Sequence, residues 1–118
     1  MKKWLEDELH TANVSVARWQ FERFRTAHPR ELMILKNSEG KRDALEHVFW
    51  VTKRTKKASL DYWLSSELRY SETAVVRLLK AFGETRDTAD KASMNYAIGY
   101  RDNIAKILKH LKEREDQK

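Results

Sequence analysis

Basic side chains gather in two places along the chain. Lys53, Arg54, Lys56 and Lys57 put four positive charges into five residues, and downstream Arg69, Thr73, Arg77 and Lys80 recur at steps of three and four. Cations packed this closely neutralise phosphates and release counterions, so affinity falls steeply with salt. An Arg on a helix face also pairs bidentately with the edge of a guanine, and short polar side chains beside it fit a groove. The competing reading of the first cluster is a solvated helix end whose Lys residues complement the helix dipole.

Other chemistry is absent from the pattern. With no Cys, disulfides, cysteine nucleophiles and Cys-based zinc sites are excluded. His10, His28, His47 and His110 are scattered, without the short spacing of a metal site, and read as surface or capping residues. Glu6, Asp7, Glu8, Asp87 and Asp90 fall where helix ends are expected and read as dipole-complementing charges. Gly40 and Gly99 belong to no Gly-rich phosphate loop. The expectation is a non-enzymatic binding protein with no catalytic residue, no cofactor and no metal. Trp50 stands apart, roughly 140° around an ideal helix from Leu45 and off the stripe of Leu45, Val48, Phe49 and Thr52. It either packs against another element or is an exposed anchor for a protein or an unpaired base.

The elements that position these residues are helical. The 118 residues make one domain, 1–118, and 3 Gly with 1 Pro are too few for sandwiches or barrels. Leu5, Leu9, Ala12, Val16 and Trp19 form one stripe, interrupted by the poor helix formers Asn13–Val16. Pro29 starts a second helix and ends the first near residue 27. Asn37-Ser38-Glu39-Gly40 reads as a turn before a helix over 41–57. A hairpin pairing Glu31–Lys36 with His47–Lys53 is the alternative, because Val48-Phe49-Trp50-Val51 is rich in strand formers. Ser59 and Ser71 are candidate caps, Gly83 a candidate C-terminal stop, and Thr88 a cap for a last helix. That helix carries Ala97, Tyr100, Ile104, Ile107, Leu108 and Leu111 on one face. The expected fold is an all-α compact bundle of about five to six helices.

The chain also matches itself. Sliding it by 59 residues aligns Trp4-Leu5-x-x-Glu8-Leu9 with Trp63-Leu64-x-x-Glu67-Leu68, and Gly40-x-Arg42-Asp43 with Gly99-x-Arg101-Asp102. The ungapped register gives 11 identities in 59 positions, where composition alone gives about three or four. The expectation is two duplicated helical units, 1–59 and 60–118, related by a pseudo-twofold. They differ in charge: 13 basic and 8 acidic residues in the first (+5), 11 and 10 in the second (+1).

Within residues 59–83, Leu64-Ser-Ser-Glu-Leu68-Arg69-Tyr70-Ser71-Glu-Thr-Ala-Val75-Val-Arg77-Leu78-Leu79-Lys80 resembles the helix-turn-helix of DNA-binding regulators. The resemblance implies a first helix, a short turn, and a second helix capped by Ser71. In that second helix Val75, Leu78, Leu79 and Phe82 face inward, and Thr73, Arg77 and Lys80 face the groove. Arg69, Lys53, Arg54, Lys56 and Lys57 would lie on phosphates. One repeat earlier, Val14, Arg18 and Phe21 replace Thr73, Arg77 and Lys80, so that face is partly apolar and suits a partner. The expected ligand is therefore nucleic acid, double-stranded DNA above RNA, bound by a homodimer with contacts around Val14, Phe21 and Trp50. The alternative is an interaction module or inhibitor, of phage or mobile-element type, that docks on another protein. No run of residues is apolar enough to span a membrane, and the expected location is the cytoplasm.

Overall fold

The computed structural model describes residues 2–26 and 28–116, without the side chains of residues 57, 58, 115 and 116. It contains four helices: α1 (Lys2–Thr26), α2 (Pro29–Thr52), α3 (Lys57–Thr85) and α4 (Thr88–Asp116). The all-α class is as the periodicity implies, but four long helices replace the expected five to six. The break before Pro29 is real, but the breaks expected at Asn13–Val16, Asn37–Gly40 and Ser71 all lie inside helices. Val16 is buried, so packing carries α1 through its poor helix formers. Asn37 donates its side-chain amide to the Asn95 carbonyl at 3.3 Å, and Gly40 is pressed against α4. Ser71 caps nothing: it is buried in the middle of α3 and donates its hydroxyl to the Leu68 carbonyl at 2.9 Å. The helix-turn-helix segmentation of residues 59–83 is thus replaced by one unbroken helix.

The ends are set by other residues than the expected ones. Pro29 opens α2 as expected, and the His28 ring accepts the Arg30 N–H at 3.1 Å. Thr88 is the first residue of α4, and its cap is Asp87, whose carboxylate accepts the Ala89 N–H at 2.7 Å. α3 begins two residues before Ser59 and passes through Gly83 to Thr85. There Arg86, at φ 55°, takes the left-handed position and its N–H closes on the Phe82 carbonyl at 2.7 Å. The hairpin alternative is excluded, because Glu31–Lys36 lies within α2 and His47–Lys53 runs to its C-cap.

α2 and α4 form the central pair. Contacts between them advance in the same direction along both helices, Asn37 to Asn95 and then Asn103 to the Lys41 carbonyl (2.9 Å), so the two run parallel. α1 packs antiparallel on α2 and α3 antiparallel on α4, while α2 and α3 barely touch. Two glycines make the central contact. A Cβ at Gly40 would strike the Tyr96 carbonyl, and one at Gly99 would strike the Asn37 carbonyl. Tyr96 and Gly99 lie 59 residues after Asn37 and Gly40, so the two approaches are reciprocal. The ends of α1 and α3 and the starts of α2 and α4 are separated by the same 59 residues.

The core occupies one end of the bundle. Leu5 of α1 and Leu60 and Leu64 of α3 meet Leu45, Val48 and Val51 of α2 and Ile104, Ile107 and Leu111 of α4. Towards the other end the outer helices stop contributing buried side chains, α1 after Val16 and α3 after Val75. Trp4 stacks on His110 at 3.9 Å, and Lys106 reaches Glu8 at 3.0 Å, tying α1 to α4 across the closed end. The glycines yield opposite expectations. Gly40→Ala or Gly99→Ala forces backbones apart and lowers stability by about 2–3 kcal/mol or more. Gly83 has open space around it, so Gly83→Ala raises stability by about 0.5–1 kcal/mol. Urea unfolding of the three variants measures both signs.

Candidate functional site

The burial pattern of α3 separates its two faces. Leu60, Leu64, Ser71 and Val75 are buried, and Leu78 and Phe82 half-buried, against α4. On the opposite ridge Tyr62, Ser66, Arg69, Thr73, Arg77 and Lys80 are all exposed. The three expected groove residues and Arg69, expected on phosphate, therefore share one line, about 16 Å long from Arg69 to Lys80 at the rise of an α-helix. Thr73 is held by donating its hydroxyl to the Arg69 carbonyl at 3.0 Å. Leu79, expected inward, is instead exposed, and with Val76 it adds apolar surface beside the cations.

The α2–α3 loop carries the other cations. Lys53, Arg54 and Lys56 are exposed, while the side chain of Lys57 lies outside the described residues. Lys53 Nζ sits 4.4 Å above the Phe49 ring. The Arg54 guanidinium lies 4.1 Å over Trp50 and donates to the Trp50 carbonyl at 3.2 Å. Trp50 is 54% exposed, so it is not packed against another element, and one face of its indole is covered by Arg54. On α1, Val14 and Phe21 are exposed, and Phe24, not singled out in the sequence, is 91% exposed on the same stripe between Arg18 and Arg25.

A second feature adjoins the α3 ridge. Because α2 and α3 barely touch, a cavity of about 600 Å³ opens between α2, α3 and α4, with Arg77 and Tyr70 at its α3 wall. Its polar groups are coupled across helices. Tyr100 of α4 donates its hydroxyl to Glu67 of α3 at 3.0 Å, and His47 Nδ1 of α2 lies 2.8 Å from the same hydroxyl. With the Tyr100 proton directed at Glu67, His47 Nδ1–H is the donor to the phenol oxygen. His47 also meets the edge of Trp63, ring centroids 5.0 Å apart. One turn earlier, Tyr96 donates to Asp43, which also pairs with Arg42 at 3.0 Å. Burial first, and the adjacent carboxylates second, push the Tyr96 and Tyr100 hydroxyls well above their ordinary range.

Of these cavity residues only Arg77 was a binding candidate from the sequence; His47 was read as a surface or capping residue and Tyr100 as part of an apolar stripe. The available signal was the spacing of Tyr96 and Tyr100 against Asp43 and His47, both pairs four residues apart, on helices that run parallel. Among the described residues no group of three or more His, Asp or Glu side chains is placed to hold a metal ion. Among them, too, no helix is long and apolar enough to cross a membrane. No family model matches the chain, and neither a curated protein nor a solved structure shows significant similarity to it.

The buried phenols make stability depend on alkaline pH. A tyrosine held protonated in the fold stabilises it fully below its ordinary pKa of 10.0, and that contribution drains away as pH rises above it. Thermal unfolding should therefore show a fall in stability above pH 10 that is shallower in Tyr96→Phe and Tyr100→Phe. An alkaline fall identical in both variants would contradict the assignment.

Proposed function

We propose that this is a small non-enzymatic nucleic-acid-binding protein that engages duplex DNA with the outer face of α3. One observation carries the reading: Arg69, Thr73, Arg77 and Lys80 share an exposed line on a single helix, and no acidic side chain interrupts that ridge from Tyr62 to Lys80. A helix about 10–12 Å across fits a major groove about 12 Å wide. Arg77 reads base edges with Thr73 and Lys80 beside it. Arg69 and the loop cations Lys53, Arg54 and Lys56 sit on phosphates and fix the register. With α3 unbroken, the positioning role of a first helix falls to that loop. The formal net charge of +6 steers the approach.

The same reading includes a cytoplasmic site of action and a homodimer, whose second copy supplies a second half-site. Val14, Phe21 and Trp50 are its contact residues. It also includes a duplicated ancestral unit, supported by the 59-residue offset shared by the ends of α1 and α3, the starts of α2 and α4, and the reciprocal glycine contacts. A second reading, a module that docks on another protein, is favoured by the α1 stripe of Val14, Phe21 and Phe24.

Fluorescence anisotropy of a labelled duplex tests the first reading. Arg77→Ala should weaken specific binding by about 1–3 kcal/mol. Replacing the phosphate-contacting Arg69, Lys53, Arg54 and Lys56 together by Gln should reduce the slope of log affinity against log salt by about 3–4. Unchanged affinity and slope would remove α3 as the binding face. Phe24→Asp alone, which spares the dimer contacts Val14, Phe21 and Trp50, should leave the salt slope intact, whereas loss of it would move the contact to α1.

A further inference from the structure

The cavity has a counterpart on the opposite flank of the α2–α4 pair. There a cleft of about 220 Å³ lies between α1, α2 and α4. The 59-residue offset maps one lining onto the other: Glu67 onto Glu8, Tyr100 onto Lys41, His47 onto Lys106 and Tyr70 onto Thr11. In the small cleft the Lys106 ammonium sits on Glu8 at 3.0 Å and closes the gap between helices. In the large one the position of Lys106 is held by His47, a shorter side chain whose ring nitrogen is spent on the Tyr100 hydroxyl. Glu67 accepts from Tyr100 and has no ion-pair partner among the described residues. The nearby cations do not serve it. Lys36 is engaged with Glu39 at 3.5 Å, and Arg77, two to three turns along α3 from Glu67, stands exposed at the rim.

A half-buried carboxylate beside an open cavity, whose counterpart is neutralised by an ammonium, identifies the missing group by its chemistry. We propose that the cavity binds a small organic ammonium ligand with an aromatic or aliphatic body, its nitrogen seated on Glu67 as Lys106 Nζ sits on Glu8. The volume lies within the range of small-molecule sites. Tyr70 and Tyr100 line the cavity with aromatic side chains of the kind that attract a cation, and Ala74, Leu78 and Ala97 line the space for the apolar body. Tyr100, kept protonated by burial and by Glu67, fixes one carboxylate oxygen and leaves the other for the ligand. The site is independent of the DNA reading, although Arg77 belongs to both surfaces.

NMR titration of the full-length ¹⁵N-labelled protein tests this with three probes: phenethylamine, its uncharged analogue 2-phenylethanol, and N-acetyl-lysine amide. Phenethylamine should saturably shift the amides of Ala74, Leu78 and Tyr100, and 2-phenylethanol should bind at least tenfold more weakly. Glu67→Gln and His47→Lys should each weaken phenethylamine at least tenfold, the second because it places a tethered ammonium on Glu67. Glu8→Gln, which breaks only the counterpart pair, should leave binding within twofold. If N-acetyl-lysine amide binds more tightly than phenethylamine with the same dependence on Glu67, the ammonium is that of a peptide lysine; if more weakly, that of a free amine. Both results keep the ammonium site. Equal binding of alcohol and amine, undiminished binding in folded Glu67→Gln or His47→Lys, or no shift with any probe would overturn it.

Discussion

The contact on which the rest of the structure depends is the backbone approach of α2 and α4 at Gly40 and Gly99. Each glycine faces a carbonyl of the other helix at a distance no Cβ would allow. In an up-down bundle of four helices these two would lie on a diagonal, held apart by side chains. Here the diagonal is closed, and Asn103, buried, donates to the Lys41 carbonyl across it. Two interior glycines cost a helix about 1 kcal/mol each in intrinsic propensity. The burial of Ala44, Val48, Ile104 and Ile107 in the turns that follow offsets that cost.

Closing one diagonal determines what the other two helices can do. α1 and α3 are displaced to opposite flanks, where each packs chiefly on its own hairpin partner. Their outer faces stay open, and the gap between α2 and α3 becomes a cavity rather than a packed seam. The flanks then carry different chemistry on matching geometry. On one, Lys106 and Glu8 seal the cleft and α1 presents Phe21 and Phe24. On the other, His47, Tyr100 and Glu67 leave space, and α3 presents Arg69, Arg77 and Lys80.

Periodicity made the helices and much of the core legible from sequence, because burial follows the same 3.6-residue repeat that spaces Leu45, Val48, Ile104, Ile107 and Leu111. The outward direction of Thr73, Arg77 and Lys80 followed from the same count. Helix number did not, since the punctuation was read as local when its cause was distant. Gly40 resembles a turn residue, yet its role is set by Tyr96 on another helix. Ser71 resembles a cap, yet its hydroxyl is satisfied within the helix it interrupts on paper. Gly83 resembles a stop, but the chain reverses only at Arg86. The cavity was invisible for a related reason: Asp43, His47, Glu67, Tyr96 and Tyr100 come from three helices and meet only after α2 and α4 have closed.

The most direct test of the account is to map the nucleic-acid contact on the protein itself. An NMR titration of the ¹⁵N-labelled chain with a short duplex should shift amides along Arg69–Lys80 and in the loop around Lys53–Lys56, leaving Val14–Phe24 of α1 unmoved. Shifts confined to α1, or none at low salt, would contradict it.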